Sequence, residues 1–86
     1  MMTNFDVELY ASQVDLTLES GDNKVIVIRG ASGTKIYKDV KKVTGQKNFW
    51  SDDKIVFEYS GWGGFEEIDL TPDTIMNGVK VSDFLE

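Results

Sequence analysis

The 86-residue chain has no cysteine, no histidine and a single proline. Without cysteine there is no disulfide framework, no thiolate nucleophile and no cysteine-ligated zinc or iron–sulfur centre. Without histidine the commonest general base and the commonest metal ligand are both missing. Long apolar runs are absent too. The longest purely aliphatic stretch is Val25-Ile26-Val27-Ile28, far short of the roughly 20 residues of a membrane span. The opening carries Asp6 and Glu8 where a secretory signal carries positive charge. The expectation is a cytoplasmic protein with no membrane association. The remaining composition, 41% hydrophobic and 12% aromatic, places the chain among globular rather than disordered proteins. A single domain over 1–86 is expected, because two halves would each be too small to bury a core.

Base is in short supply: nine lysines and arginines face fifteen acids, a net charge of −6. The imbalance is uneven along the chain. Residues 1–23 hold five acids and no base (−5), residues 24–57 hold eight bases and three acids (+5), and residues 58–86 hold seven acids and one base (−6). Such an acidic–basic–acidic order suits cross-strand pairing in a sheet. It also suits a folded dipole whose acidic side attracts a basic partner.

Periodicity points to strands. Phe5, Val7 and Leu9 alternate with polar residues, and so do Val14, Leu16 and Leu18. The cluster Ser20-Gly21-Asp22-Asn23 separates Val14–Glu19 from the β-branched run Lys24–Arg29, which reads as a hairpin whose second strand lies inside a sheet. Thr34–Val43 is ambiguous. Ile36, Val40 and Val43 fit a helical stripe, but the residue types are strand formers once a bulge is placed near Asp39. A turn is expected at Ser51-Asp52-Asp53. Ile55, Phe57 and Tyr59 then begin a second hairpin, closed by Ser60–Gly64, that returns through Phe65–Leu70. Thr71-Pro72-Asp73-Thr74 reads as a capped short turn, Asn77-Gly78 as a tight turn, and Ser82 as the cap of a last helical turn carrying Phe84 and Leu85. The fold class expected is mainly β, a small antiparallel meander or barrel-like sheet with a short C-terminal helical turn. The alternative is α+β with a helix near 34–44.

Catalytic patterns are weak. Gly30-Ala31-Ser32-Gly33-Thr34-Lys35 has two residues between its glycines, where a phosphate loop needs four, and its threonine precedes the lysine. The acids Glu58, Glu66, Glu67, Asp69 and Asp73 match neither a calcium loop nor a cleft that an 86-residue sheet has room to build. A non-enzymatic protein is expected, with no cofactor, no metal and no catalytic residue.

Binding residues stand out more clearly. Gly61-Trp62-Gly63-Gly64 surrounds a large aromatic with residues free to take positive φ, which suits an exposed anchor at a loop tip. Together with Trp50, Phe65, Glu66, Glu67 and Asp69, Trp62 forms the expected partner-binding set. The function expected is a protein-binding module, a small acidic inhibitor of the phage or mobile-element kind. It would dock on the basic nucleic-acid groove of a host enzyme such as a nuclease. The second expectation is single-stranded nucleic-acid binding through Lys35, Lys38, Lys41, Lys42 and Lys47, which the net negative charge opposes. The third is a structural part of a larger assembly.

Overall fold

The computed structural model describes residues 5–18, 25–48, 52–61 and 63–85. Helix α1 (Val7–Leu16) precedes strands β1 (Ile26–Gly30), β2 (Gly33–Tyr37), β3 (Val40–Gln46), β4 (Lys54–Tyr59), β5 (Phe65–Asp69), β6 (Ile75–Met76) and β7 (Val79–Lys80). A 3-10 turn over Val81–Phe84 follows. Strands predominate, as the alternation indicated. They form two antiparallel sheets, ordered β2-β1-β6-β7 and β3-β4-β5. The second is a meander in chain order; the first admits β6 across the chain beside β1.

The expected strands at Phe5–Tyr10 and Val14–Glu19 do not form. Val7–Leu16 form α1 instead. Asp6 takes an extended backbone and its Oδ1 accepts the Leu9 N–H at 3.0 Å, a cap worth about 1 kcal/mol. Glu8 in the first turn suits the positive end of the helix dipole. Val7, Tyr10, Ala11 and Val14, at helical spacing, are the buried face. The helix ends at Thr17, whose hydroxyl donates to the Val14 carbonyl at 2.6 Å. The hairpin expected between Val14–Glu19 and Lys24–Arg29 is therefore absent, and its turn, Ser20–Asn23, lies outside the described residues. Strand β1 does sit inside a sheet, between β2 and β6.

The helix expected as an alternative near 34–44 is not there. The segment is extended, broken by Asp39 at φ 60 and by a register shift between Val40 and Lys42. This break sends the chain from one sheet into the other, so the expected bulged strand becomes β2 and β3. The Thr71–Thr74 segment is a single turn, with the Thr74 N–H donating to the Thr71 carbonyl at 3.0 Å. Asn77 (φ 50) and Gly78 (φ 84) form the tight turn joining β6 to β7. The last turn begins at Val81 after Lys80, which makes no side-chain cap, so Ser82 lies within it.

One core unites these elements. Val7, Tyr10 and Val14 from α1 meet Ile26, Val40, Ile55, Phe57, Met76 and Val81, all essentially without exposure. Each such side chain contributes about 1.5–3 kcal/mol on burial. Helix α1 packs chiefly on β3. There the Asp15 carboxylate accepts the Val43 N–H at 2.8 Å, covering part of an otherwise free strand edge. Among the described residues no helix is long and apolar enough to cross a membrane.

Candidate protein-binding surface

Strand β5 carries four of the expected partner-binding residues, and its pairing with β4 decides where each points. The partners are Glu58↔Phe65, Phe57↔Glu66, Val56↔Glu67, Ile55↔Ile68 and Lys54↔Asp69. Directly opposed residues share a face. Ile55 and Phe57 are buried, so Glu66 and Ile68 lie on the core side of the sheet. Phe65, Glu67 and Asp69 lie on the other side with Glu58, Val56 and Lys54. Phe65 is 71% exposed, the most exposed of the large hydrophobic residues described.

The carboxylates of this strand differ in their partners. Asp69 receives the Lys54 ammonium at 2.6 Å. That bond, and the negative charge of Asp69, raise the Lys54 pKa above its usual value. Glu66 accepts the Tyr59 hydroxyl at 2.8 Å. Among the described residues Glu67 makes no hydrogen bond or ion pair. Its charge adds to the rise of the Lys54 pKa, but no described donor engages its oxygens.

Behind Glu66 sits a tyrosine pair. The Tyr37 ring meets Phe57 edge-on at 5.2 Å. Partial burial, then the hydrogen bond to Glu66, then the charge of Glu66 push the Tyr59 phenol up to about 12. Burial and the same carboxylate raise Tyr37, and burial raises Tyr10. All three tyrosines of the chain are therefore held neutral beyond their usual range. Because folding favours the neutral phenols, this contribution is complete below about pH 10 and disappears as pH climbs through about 12. An ultraviolet titration is expected to show little tyrosinate at pH 10, where a free tyrosine is half ionised, and melting temperature should fall over the same alkaline window. Glu66→Gln should bring the Tyr59 and Tyr37 phenols part of the way down toward their usual value, burial keeping the rest of the rise. Three phenols titrating together near pH 10 would contradict this arrangement.

A groove of about 450 Å³ runs beside β5. Its lining includes Glu66, Glu67, Ile68 and Asp69 of β5, Ile28 and Arg29 of β1, and Lys35 and Tyr37 of β2. The structure thus joins three acids of the expected partner-binding set to one lysine of the alternative set. The other lysines lie elsewhere. Lys41 is 3.8 Å from Glu58, and Lys42 borders a separate hollow beside Glu8 and Asp15 of α1. Lys38 and Lys47 are exposed outside the strands. Trp50 and Trp62 lie outside the described residues. The pairings of Tyr59 with Glu66 and of Lys54 with Asp69 escaped the sequence reading. Counting outward from the Ser60–Gly64 turn sets Lys54 against Leu70, one residue off the observed register, in which Gly64 already pairs with Tyr59. Among the described residues no cluster of three or more His, Cys, Asp or Glu is placed to hold a metal ion.

Comparison of the chain with protein-family models, curated proteins and solved structures finds no match.

Proposed function

We propose that this protein is a non-enzymatic protein-binding module that meets a basic partner through β5. In its more specific form the reading is a small acidic inhibitor, of the kind encoded by phages and mobile elements. It would cover the basic nucleic-acid groove of a host enzyme such as a nuclease. The observation that carries it is the outer side of β5, where Phe65 is 71% exposed two residues from the carboxylate of Glu67. Aromatic residues are enriched where binding energy concentrates, and here the exposed ring stands beside a carboxylate that no described donor engages. The net charge of −6 adds attraction toward a basic groove and speeds encounter at low salt.

The test is capture followed by reconstitution. Immobilised protein is expected to retain basic nucleic-acid enzymes from a host lysate and to release them as salt shortens the screening length below about 8 Å. Phe65→Ala combined with Glu67→Lys should lose them at an unchanged melting temperature. The purified captured enzyme should then be inhibited by the wild type and not by the double variant. Equal inhibition by both proteins would sink the reading.

A further inference from the structure

We propose that β5 receives its partner by strand addition: an extended segment with basic residues at alternate positions pairs antiparallel with the free backbone edge of Phe65–Asp69. This rests on the reading of β5 as the docking strand and specifies how docking occurs. The phase of the ladder supplies the first argument. The Tyr59 N–H donates to the Gly64 carbonyl at 2.8 Å, so hydrogen-bonded pairs fall at Tyr59/Gly64, Phe57/Glu66 and Ile55/Ile68. The N–H and C=O groups of Phe65, Glu67 and Asp69 therefore point away from β4. No described residue bonds to them.

The groove supplies the second. Consecutive residues Glu66 to Asp69 line it, and consecutive residues alternate faces, so the edge of β5 rather than either face borders it. From β2 the lining is Gly33, Lys35 and Tyr37, which share one face. The groove is thus a strand edge looking across at a sheet face, with space between for an extended chain.

Charge selects the occupant, and the other edges are less suitable. At β3, Asp15 already accepts the Val43 N–H. The two-residue strand β7 has its Val79 carbonyl bonded by the Tyr10 hydroxyl at 2.7 Å. The β2 edge is open but bears Lys35, beside Lys38. Among the described strands only β5 offers an open edge with acids and no base in its five residues. Arg29 and Lys35 also line the groove, so it is the outer face of β5, with Glu67, that suits lysine or arginine side chains on the partner. Side chains opposite Phe65, Glu67 and Asp69 fall on the outer face, so the basic residues belong there. Apolar residues would then turn inward, toward Ile28 and Ile68. A second copy of this chain is a poor occupant, because two molecules at −6 repel.

The probe is a fluorescein-labelled peptide alternating lysine and valine, Lys-Val-Lys-Val-Lys-Val-Lys, followed by fluorescence anisotropy. In the antiparallel arrangement its lysine amides face β5. Methylating those amide nitrogens keeps the charge and removes the donors, and is expected to weaken binding at least about tenfold. On the protein, Glu67→Pro removes an outward N–H without touching the β4 ladder, a position where proline is tolerated. It should weaken the parent peptide several-fold more than Glu67→Ala, with the two variants melting alike.

Equal binding of both peptides, with salt dependence and sensitivity to Glu67→Ala, would overturn strand addition while leaving the acidic docking reading in place. Failure of both peptides to bind would overturn strand addition, and the capture experiment would then judge the broader reading. Self-association detected by light scattering and abolished by Glu67→Pro would put a second copy on the edge and overturn the proposal as well.

Discussion

Gly45→Ala should cost about 3 kcal/mol of stability, and Gly45→Val should abolish the cooperative unfolding transition. A Cβ at this position would lie 2.5 Å from the Val7 carbonyl oxygen, 2.7 Å from its carbon and 2.9 Å from the Glu8 nitrogen. These are backbone atoms of the first turn of α1, so no rotamer change relieves the overlap. Relief requires the helix to lift from β3, which strains the Asp15–Val43 bond and loosens Val7, Tyr10 and Val14 in the core. Overpacking costs about 1–3 kcal/mol where side chains give way, and an obstacle of backbone belongs at or above that upper end. Small domains have only a few kcal/mol in reserve. Gly30→Ala is the control: nothing lies within 4 Å of a Cβ there, and the change should be close to neutral. Urea melts of the three variants decide the matter. A neutral Gly45→Ala would mean that α1 does not rest on β3 in this way.

The same helix shows why part of the fold was hidden in the sequence. Residues 5–18 carry two periods at once. Phe5, Val7 and Leu9, then Val14, Leu16 and Leu18, alternate as strands do. Val7, Tyr10, Ala11 and Val14 also stand at i, i+3, i+4 and i+7, as one side of a helix does. Folding follows the second period and leaves Leu9 48% and Leu16 55% exposed. The capping residue Asp6 and the small Ala11 were the available signals. The place beside β1 expected for Val14–Glu19 is taken by Ile75 and Met76. That pairing joins distant parts of the chain, and local hairpin logic has no means of ranking it.

Strand β5 was legible as an acidic strand, and its membership of a hairpin followed from the Ser60–Gly64 cluster. Its two sides followed from the alternation that sets Ile68 and Leu70, both buried, on one face. The residues standing opposite were not legible, because they depend on the register at Tyr59/Gly64. The register separates Glu66, engaged by Tyr59, from Glu67, whose oxygens no described donor engages. Composition treats the two as equals. The break at Asp39 was legible as an irregularity. Its role in passing the chain between two sheets required the tertiary arrangement.

Asn77→Ala is expected to cost on the order of 3 kcal/mol, far more than an ordinary change in a surface turn. Two separable losses make up that figure. Asn77 holds φ at 50, a left-handed conformation that alanine adopts at a cost of about 1–2 kcal/mol. Its side chain also holds three elements together. Oδ1 accepts the Val27 N–H at 2.8 Å, while Nδ2 donates to the Val25 carbonyl at 3.0 Å and to the Thr17 hydroxyl at 2.9 Å. The asparagine amide thus takes the place of a further strand residue beside β1 and ties that strand to the end of α1. Removing it leaves a part-buried N–H without its acceptor, a penalty of about 1–3 kcal/mol. Asn77→Gly keeps the backbone freedom and loses only the side-chain bonds, so it should cost less than alanine by the conformational share. Denaturant melts of the two variants give that difference, and hydrogen exchange at the Val27 amide reports the lost bond directly. If Asn77→Gly is as stable as wild type and Val27 stays protected, the side chain is not the clasp described here.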